Sequence, residues 1–213
     1  MARRSDVGGR DLLIAAALKL FAEEGIEGVS IRAVNREAGL GPASAHYHFG
    51  SKEALVEAVL HVHGDQIVEA ISARAKALVN GDTPITARDL VQMLAMPYID
   101  LISSHTDTGH DWIKLVSQAV QSDVDRVTDR TSLKLTAQAT ARAYPDSTPA
   151  QRQRALRMCF TLLVTQLAQF GEAAAPRKRT KGKLDLELLI DFLSGGLDAA
   201  LRPSDALTPV ESA

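Results

Sequence analysis

The residues best suited to chemistry lie in one short run, Ala43-Ser-Ala-His-Tyr-His-Phe-Gly-Ser-Lys52. Within it, small side chains stand beside the hydroxyl of Ser44, the imidazole of His46 and the phenol of Tyr47. Small residues let a backbone approach a grooved surface closely, and the polar tips can bond base edges or phosphates. Ser51-Lys52-Glu53 then reads as a helix start, whose free N–H groups and lysine suit a phosphate. Such a set binds a polyanion.

A second constellation, His61 and His63 in His-Val-His-Gly-Asp65, raises metal-assisted hydrolysis with Asp65 as the carboxylate. Residues two apart on a helix point to different sides, and no cysteine pair or Glu-x-x-His accompanies them. His105 and His110 read the same way, although both could line a cavity. No metal set, catalytic set or cofactor follows from these residues. The single cysteine, Cys159, excludes an internal disulfide framework and fits a reducing compartment.

The elements that position the first run are short. Asp11 opens a helical pattern with Leu13, Ala17, Leu20 and Phe21 on one face, and Gly25 stops it. Arg3, Arg4 and Arg10 form a basic lead-in. Ser30 is the expected N-cap of a helix holding Ile31, Val34 and Ala38, which Gly39 ends. Pro42 should then open a helix over 42–48, at the position where its missing N–H does no harm. That helix is too small and polar to serve a core, so one face must meet something outside. Phe49 should pack under the next helix, and His48 within the domain. From Ser51 the apolar positions keep a helical period to Val79, enough for a rod of about 40 Å.

Asn80-Gly-Asp-Thr-Pro84 is the clearest break. Beyond it a helix is expected from Thr86 or Ala87 to Ser103, kinked at Pro97, then a polar loop over 104–109 and a segment opening at Trp112. A further helix spans 124–144, and Thr148-Pro149 caps the next. The stripe Leu156, Cys159, Phe160, Leu163, Leu167 and Phe170 lies on that helix. A basic run, Arg177 to Lys183, reads as a solvated linker. The last helix carries Leu186, Leu189, Ile190, Leu193, Leu197 and Leu201, with Gly195-Gly196 allowing close approach of another helix. These boundaries divide the chain into 1–50, a connecting helix 51–80, a second domain 81–203 and a disordered tail 204–213.

At 46% apolar and 4% aromatic residues, the composition is helix-biased and ample for a core. The net charge of −2 argues only weakly against nucleic acid, because screening confines charge effects to about 10 Å and a local basic patch suffices. No stretch approaches the roughly 20 apolar residues of a membrane span, and Met1-Ala-Arg-Arg has no apolar signal region. A cytoplasmic location is the expectation.

Ser30, Val34, Ala38-Gly39-Leu40 and above all Tyr47-His-Phe-Gly-Ser-Lys-Glu-Ala-Leu55 resemble the N-terminal DNA-binding domain of TetR-type (tetracycline-repressor-like) transcriptional regulators, over roughly residues 11–60. The chain departs from that pattern at Asn35, Ala43, Ala45 and His46. The resemblance implies an all-α fold, in which a helix-turn-helix domain is joined by a long helix to a C-terminal ligand-binding and dimerisation domain. It implies that Arg32, Pro42, Ala43, Ser44, His46 and Tyr47 approach operator DNA while Lys52 holds a phosphate. It further implies a homodimer built as a four-helix interface, with Leu156, Phe160, Leu163, Leu167, Phe170, Leu189, Leu193, Gly196 and Leu197 as candidates. A small-molecule effector would enter the second domain, where Met93, Met96, Tyr98, Trp112, Phe160 and Gln166 are candidate lining residues. The expected function is a repressor released from a palindromic operator. The alternative is a dimeric helical sensor or carrier with little or no DNA binding.

Overall fold

A computed structural model of the chain describes residues 3–104, 107–122, 130–172 and 186–202, and all regular structure among them is helical. The N-terminal head comes first. α1 (Arg3–Glu24) begins well before Asp11, but buries the expected stripe of Leu13, Ala17, Leu20 and Phe21. It stops at Gly25, whose φ of 81° a side chain would resist. α2 (Ile31–Glu37) is capped by Ser30, whose Oγ accepts from the Ala33 N–H at 3.2 Å.

α3 (Ser44–Phe49) starts two residues later than the proline rule predicts. Pro42 and Ala43 form a turn instead, closed by the Ser44 N–H donating to the Gly41 carbonyl at 3.0 Å. Ala43, at the N-cap, has no side-chain acceptor to offer. α4 (Lys52–Asn80) is the expected continuous rod, capped by Ser51 Oγ accepting from the Ala54 N–H at 3.1 Å.

In the second half, α5 (Ala87–Ser103) opens with a capping box in which Thr86 and Asp89 satisfy each other's backbone N–H groups. Pro97 lies buried inside α5, which continues through it. α6 (Asp107–Ser122) starts ahead of Trp112, so the polar loop expected over 104–109 is shorter than its composition suggested. α7 (Arg130–Ala143) falls within the helix expected over 124–144 and stops before Tyr144 and Pro145, while residues 123–129 lie outside the described ones. α8 (Pro149–Glu172) is opened by a Thr148–Gln151 box of the same kind. α9 (Leu186–Leu201) follows. The basic run at 177–183 and the tail 204–213 lie outside the described residues.

α4 runs against α7 and α5, α6 packs between α8 and α1, and α9 closes on α5 and α8. Polar ties hold these layers in register. Arg88 of α5 pairs with both Glu187 and Asp191 of α9, and the Tyr144 hydroxyl donates to Asp198 at 2.7 Å. Arg142 of α7 donates to the Leu78 and Val79 carbonyls at 3.1 and 2.6 Å, closing the C-terminal end of α4. No helix among the described residues is long and apolar enough to cross a membrane.

The stripe assigned to the dimer needs correction. Phe160, Leu163 and Leu167 of α8, and Leu193 and Leu197 of α9, are buried inside their own chain, where the two helices pack on each other and on α5 and α6. Leu156 and Leu189 are half-buried, and the Phe170 side chain lies outside the described residues. Gly196 is exposed with open space beside it. The apolar side chains these helices leave outside are Met158, Leu162, Leu188 and Phe192, the last 70% exposed.

Candidate nucleic-acid interface

α3 has one inward residue and a face of outward ones. Ala45 is buried under the head, while His46 and Tyr47 are exposed, Tyr47 by 74%. A tyrosine that open to water buries little apolar surface in the fold, so its ring is available to an outside surface. Ala43 and Pro42 are exposed in the turn that leads into α3, and Ser44 is half-buried at its first position. Arg32 is exposed on α2, as is Arg36. Every expected DNA-facing residue except Lys52 thus lies on or beside the α2–turn–α3 surface.

Lys52 sits at the first position of α4, half-buried, with its Nζ donating to the Glu27 carbonyl at 3.4 Å. That bond is long and weak, and a phosphate oxygen is a better acceptor for an ammonium. His48 and Phe49 turn inward, as expected. The His48 ring meets Tyr47 edge-on at 5.1 Å, and a Cβ at position 9 would come within 3.1 Å of its Nε2, so Gly9 is what lets the ring lie against α1. Phe49 lies under the Arg10 guanidinium, 5.2 Å from the ring centroid.

One functional residue is absent from the sequence-based set. Asn35, only 2% exposed, accepts the Ala45 N–H at 2.9 Å through Oδ1 and donates through Nδ2 to the Pro42 carbonyl at 2.8 Å. Its carboxamide therefore fixes the turn and the start of α3 against α2. The signal was a polar residue beside the buried Val34, where a small one is usual in the family resembled.

Of the candidate effector residues, Tyr98, Trp112 and Phe160 come together. The Tyr98 ring stacks on Trp112 at 6.2 Å and tilts against Phe160 at 5.9 Å. Met93 is buried on α5, whereas Met96 and Gln166 are half-buried on α5 and α8. His63, set aside on spacing, joins the cluster edge-on to Trp112 at 5.8 Å, and burial holds its imidazole below the usual histidine range. The Trp112 indole donates to the Leu60 carbonyl of α4 at 2.8 Å. His61 turns the other way, to Asp65 at 2.9 Å on an exposed face, so the two histidines do not share a ligand set. Burial pushes the Cys159 thiol up to about 12, so it stays protonated and unreactive.

Residues 13–59 match the family model described as bacterial regulatory proteins, tetR family. A relative, the HTH-type transcriptional regulator BetI of Rhizobium meliloti, is 29% identical over 114 residues, 54% of this chain and 53% of that protein. The match thus spans about half the length of that relative. Two solved structures resemble the whole fold: SmeT, the repressor of the Stenotrophomonas maltophilia multidrug efflux pump SmeDEF, and the fatty acid degradation regulator FadR from Bacillus halodurans. SmeT superposes with a TM-score of 0.58 at 17% identity over 94% of each chain. FadR gives 0.56 at 12% identity over 90% of this chain and 94% of its own. The head formed by α1 to α3 and the start of α4 is thus similar to the tetR-type domain over residues 13–59, and the fold of the whole chain is that of the two solved structures.

Proposed function

We propose that the chain is a transcriptional regulator, a cytoplasmic homodimer that represses from a palindromic double-stranded DNA operator and is released by a small molecule. The observation that carries this reading is α3: its His46 and Tyr47 face water beside Arg32, on a helix that Asn35 braces. One such helix makes few base contacts. A two-fold dimer presents two of them to successive major grooves, about 34 to 36 Å apart or a multiple of that. Repression rather than activation is supported by the likeness to SmeT, a repressor by its description.

Lys52 trades the Glu27 carbonyl for a phosphate, and Tyr47, His46 and Ser44 supply groups for bases or backbone. The effector site is assigned to the region where Tyr98, Trp112 and Phe160 meet, with Met93, Met96 and Gln166 as candidate neighbours. That cluster joins α5, α6 and α8 and reaches α4 through Trp112. An effector that favours one arrangement of α4 by about 1–3 kcal/mol changes the separation of the two heads and hence DNA affinity. The dimer is assigned to the outward face of α8 and α9.

The test is selection of bound fragments from genomic DNA by the purified protein at stated salt. A palindromic sequence should be enriched, and the double variant Tyr47→Ala, Lys52→Ala should lose its affinity at least tenfold. Enrichment of nothing palindromic sinks the proposal.

A further inference from the structure

A second connection joins the head to the effector domain, and it does not run along α4. α6 packs against α1 as well as α8. Near the head, Gln118 of α6 meets the turn between α1 and α2. Its Oε1 accepts the Ile26 N–H at 3.3 Å, and its Nε2 donates to the Phe21 carbonyl at 3.2 Å. A carboxamide bonded through both ends to backbone has its orientation fixed, and so has the turn. The partners lie 92 and 97 residues away in sequence, so these bonds staple two parts of the fold.

The turn it holds is sharp and open. Gly25 has a φ of 81°, and the one atom a Cβ there would approach is Gln118 Oε1, at 3.9 Å. One residue past Ile26, the Glu27 carbonyl receives Lys52. At its other end α6 carries Trp112, which stacks on Tyr98 and donates to the Leu60 carbonyl. A single rigid helix thus bears on the aromatic cluster, on α4 and on the turn beside the phosphate-binding lysine.

We infer that Gln118 is a positioning residue of the reading head: it transmits the placement of α6 to the α1–α2 turn, and through that turn to Lys52 and α2. Its role in DNA affinity rests on the function proposed above, whereas its grip on the turn does not. Coupling of this kind needs a physical link that both sites bias, and two hydrogen bonds from one side chain supply it.

Amide hydrogen exchange on the full-length protein tests the grip, and titration of the genomic fragment recovered by the unmodified protein tests its consequence. Gln118→Leu should speed exchange at Ile26 about tenfold or more, with α7 and α8 unchanged. It should weaken fragment binding about tenfold without altering the slope against salt, because no phosphate contact is removed. Gln118→Glu keeps the acceptor for Ile26 but sets a carboxylate against the Phe21 carbonyl. Relative to the unmodified protein at each pH, its binding should recover as pH falls through the carboxylate range and the donor returns.

Unchanged exchange at Ile26 in Gln118→Leu overturns the inference, as does faster exchange spread evenly over all helices. Faster exchange at Ile26 with full fragment affinity removes the positioning role. Should the unmodified protein recover no fragment, the DNA-binding proposal fails while the exchange comparison still decides the grip.

Discussion

Asn35 ties the start of α3 and the turn before it to α2 with one side chain, and replacing it exposes what the brace contributes. Asn35→Leu leaves the buried Ala45 N–H without its acceptor and the Pro42 carbonyl without a donor. An unsatisfied buried group costs about 1–3 kcal/mol, so the variant should unfold at lower denaturant concentration and bind DNA more weakly. An unchanged unfolding midpoint would refute the brace. His63 makes a pH prediction of opposite origin. Burial lowers its pKa from the ordinary 6.5, so the folded chain favours the neutral ring while the unfolded chain takes up a proton. That contribution is present above pH 6.5 and is lost as pH falls through the lower folded-state value. Unfolding midpoints measured across the weakly acidic range should decline, and His63→Phe should flatten the decline. Glu37, whose carboxyl Lys19 holds below the usual 4.5, loses its contribution only at more acid pH, so the two windows separate. The sequence marked Asn35 only as a polar departure and set His63 aside: Asn35 acts through Pro42 and Ala45, and His63 through Trp112, partners that only folding supplies.

At the scale of elements, the caps and stops were legible because their chemistry is local. Ser30, Ser51 and Thr148 each cap the helix they precede, and Gly25 and Gly39 adopt the positive φ that their positions required. α3 shifted because Pro42 can begin a helix or sit in a turn, and the Asn35 bond to its carbonyl favours the turn. The far end of α4 stops at the expected Asn80-Gly81 break, and a residue distant in sequence closes it. Gly81 follows the rod with a φ of −74°, so the helix ends without a left-handed residue, and Arg142 of α7 covers the Leu78 and Val79 carbonyls. A cation there also complements the helix dipole. Arg142→Ala should cost about 1 kcal/mol in unfolding free energy and speed exchange in the last turn of α4, while α1 to α3 keep their protection. Loss of protection in the head instead would mean that the end of α4 is coupled to it more tightly than these contacts indicate.

For the whole molecule, the homodimer proposed above turns on which side of α8 and α9 would meet a second copy. Period alone could not answer it. Both helices carry apolar residues on two sides, and the denser stripe, Leu163, Leu167, Leu193 and Leu197, fills the chain's own core. What stays outside is sparser but large: Met158 at 67%, Leu162 at 44%, Leu188 at 65% and Phe192 at 70% exposed. Exposed side chains of that size on adjacent helices are costly to leave in water, and Gly195 and Gly196 stand beside them with room for a close neighbour. The isologous contact of a two-fold dimer would bring each patch against its own copy. The two faces therefore respond differently to charge. Leu188→Glu with Phe192→Glu should yield a folded monomer by sedimentation, with helical signal retained and DNA affinity sharply reduced because one head reaches one half-site. Leu163→Glu places a carboxylate in the core and should unfold the chain at any concentration. A stable dimer in the first variant would move the interface off this face, and with it the geometry by which the two heads are spaced.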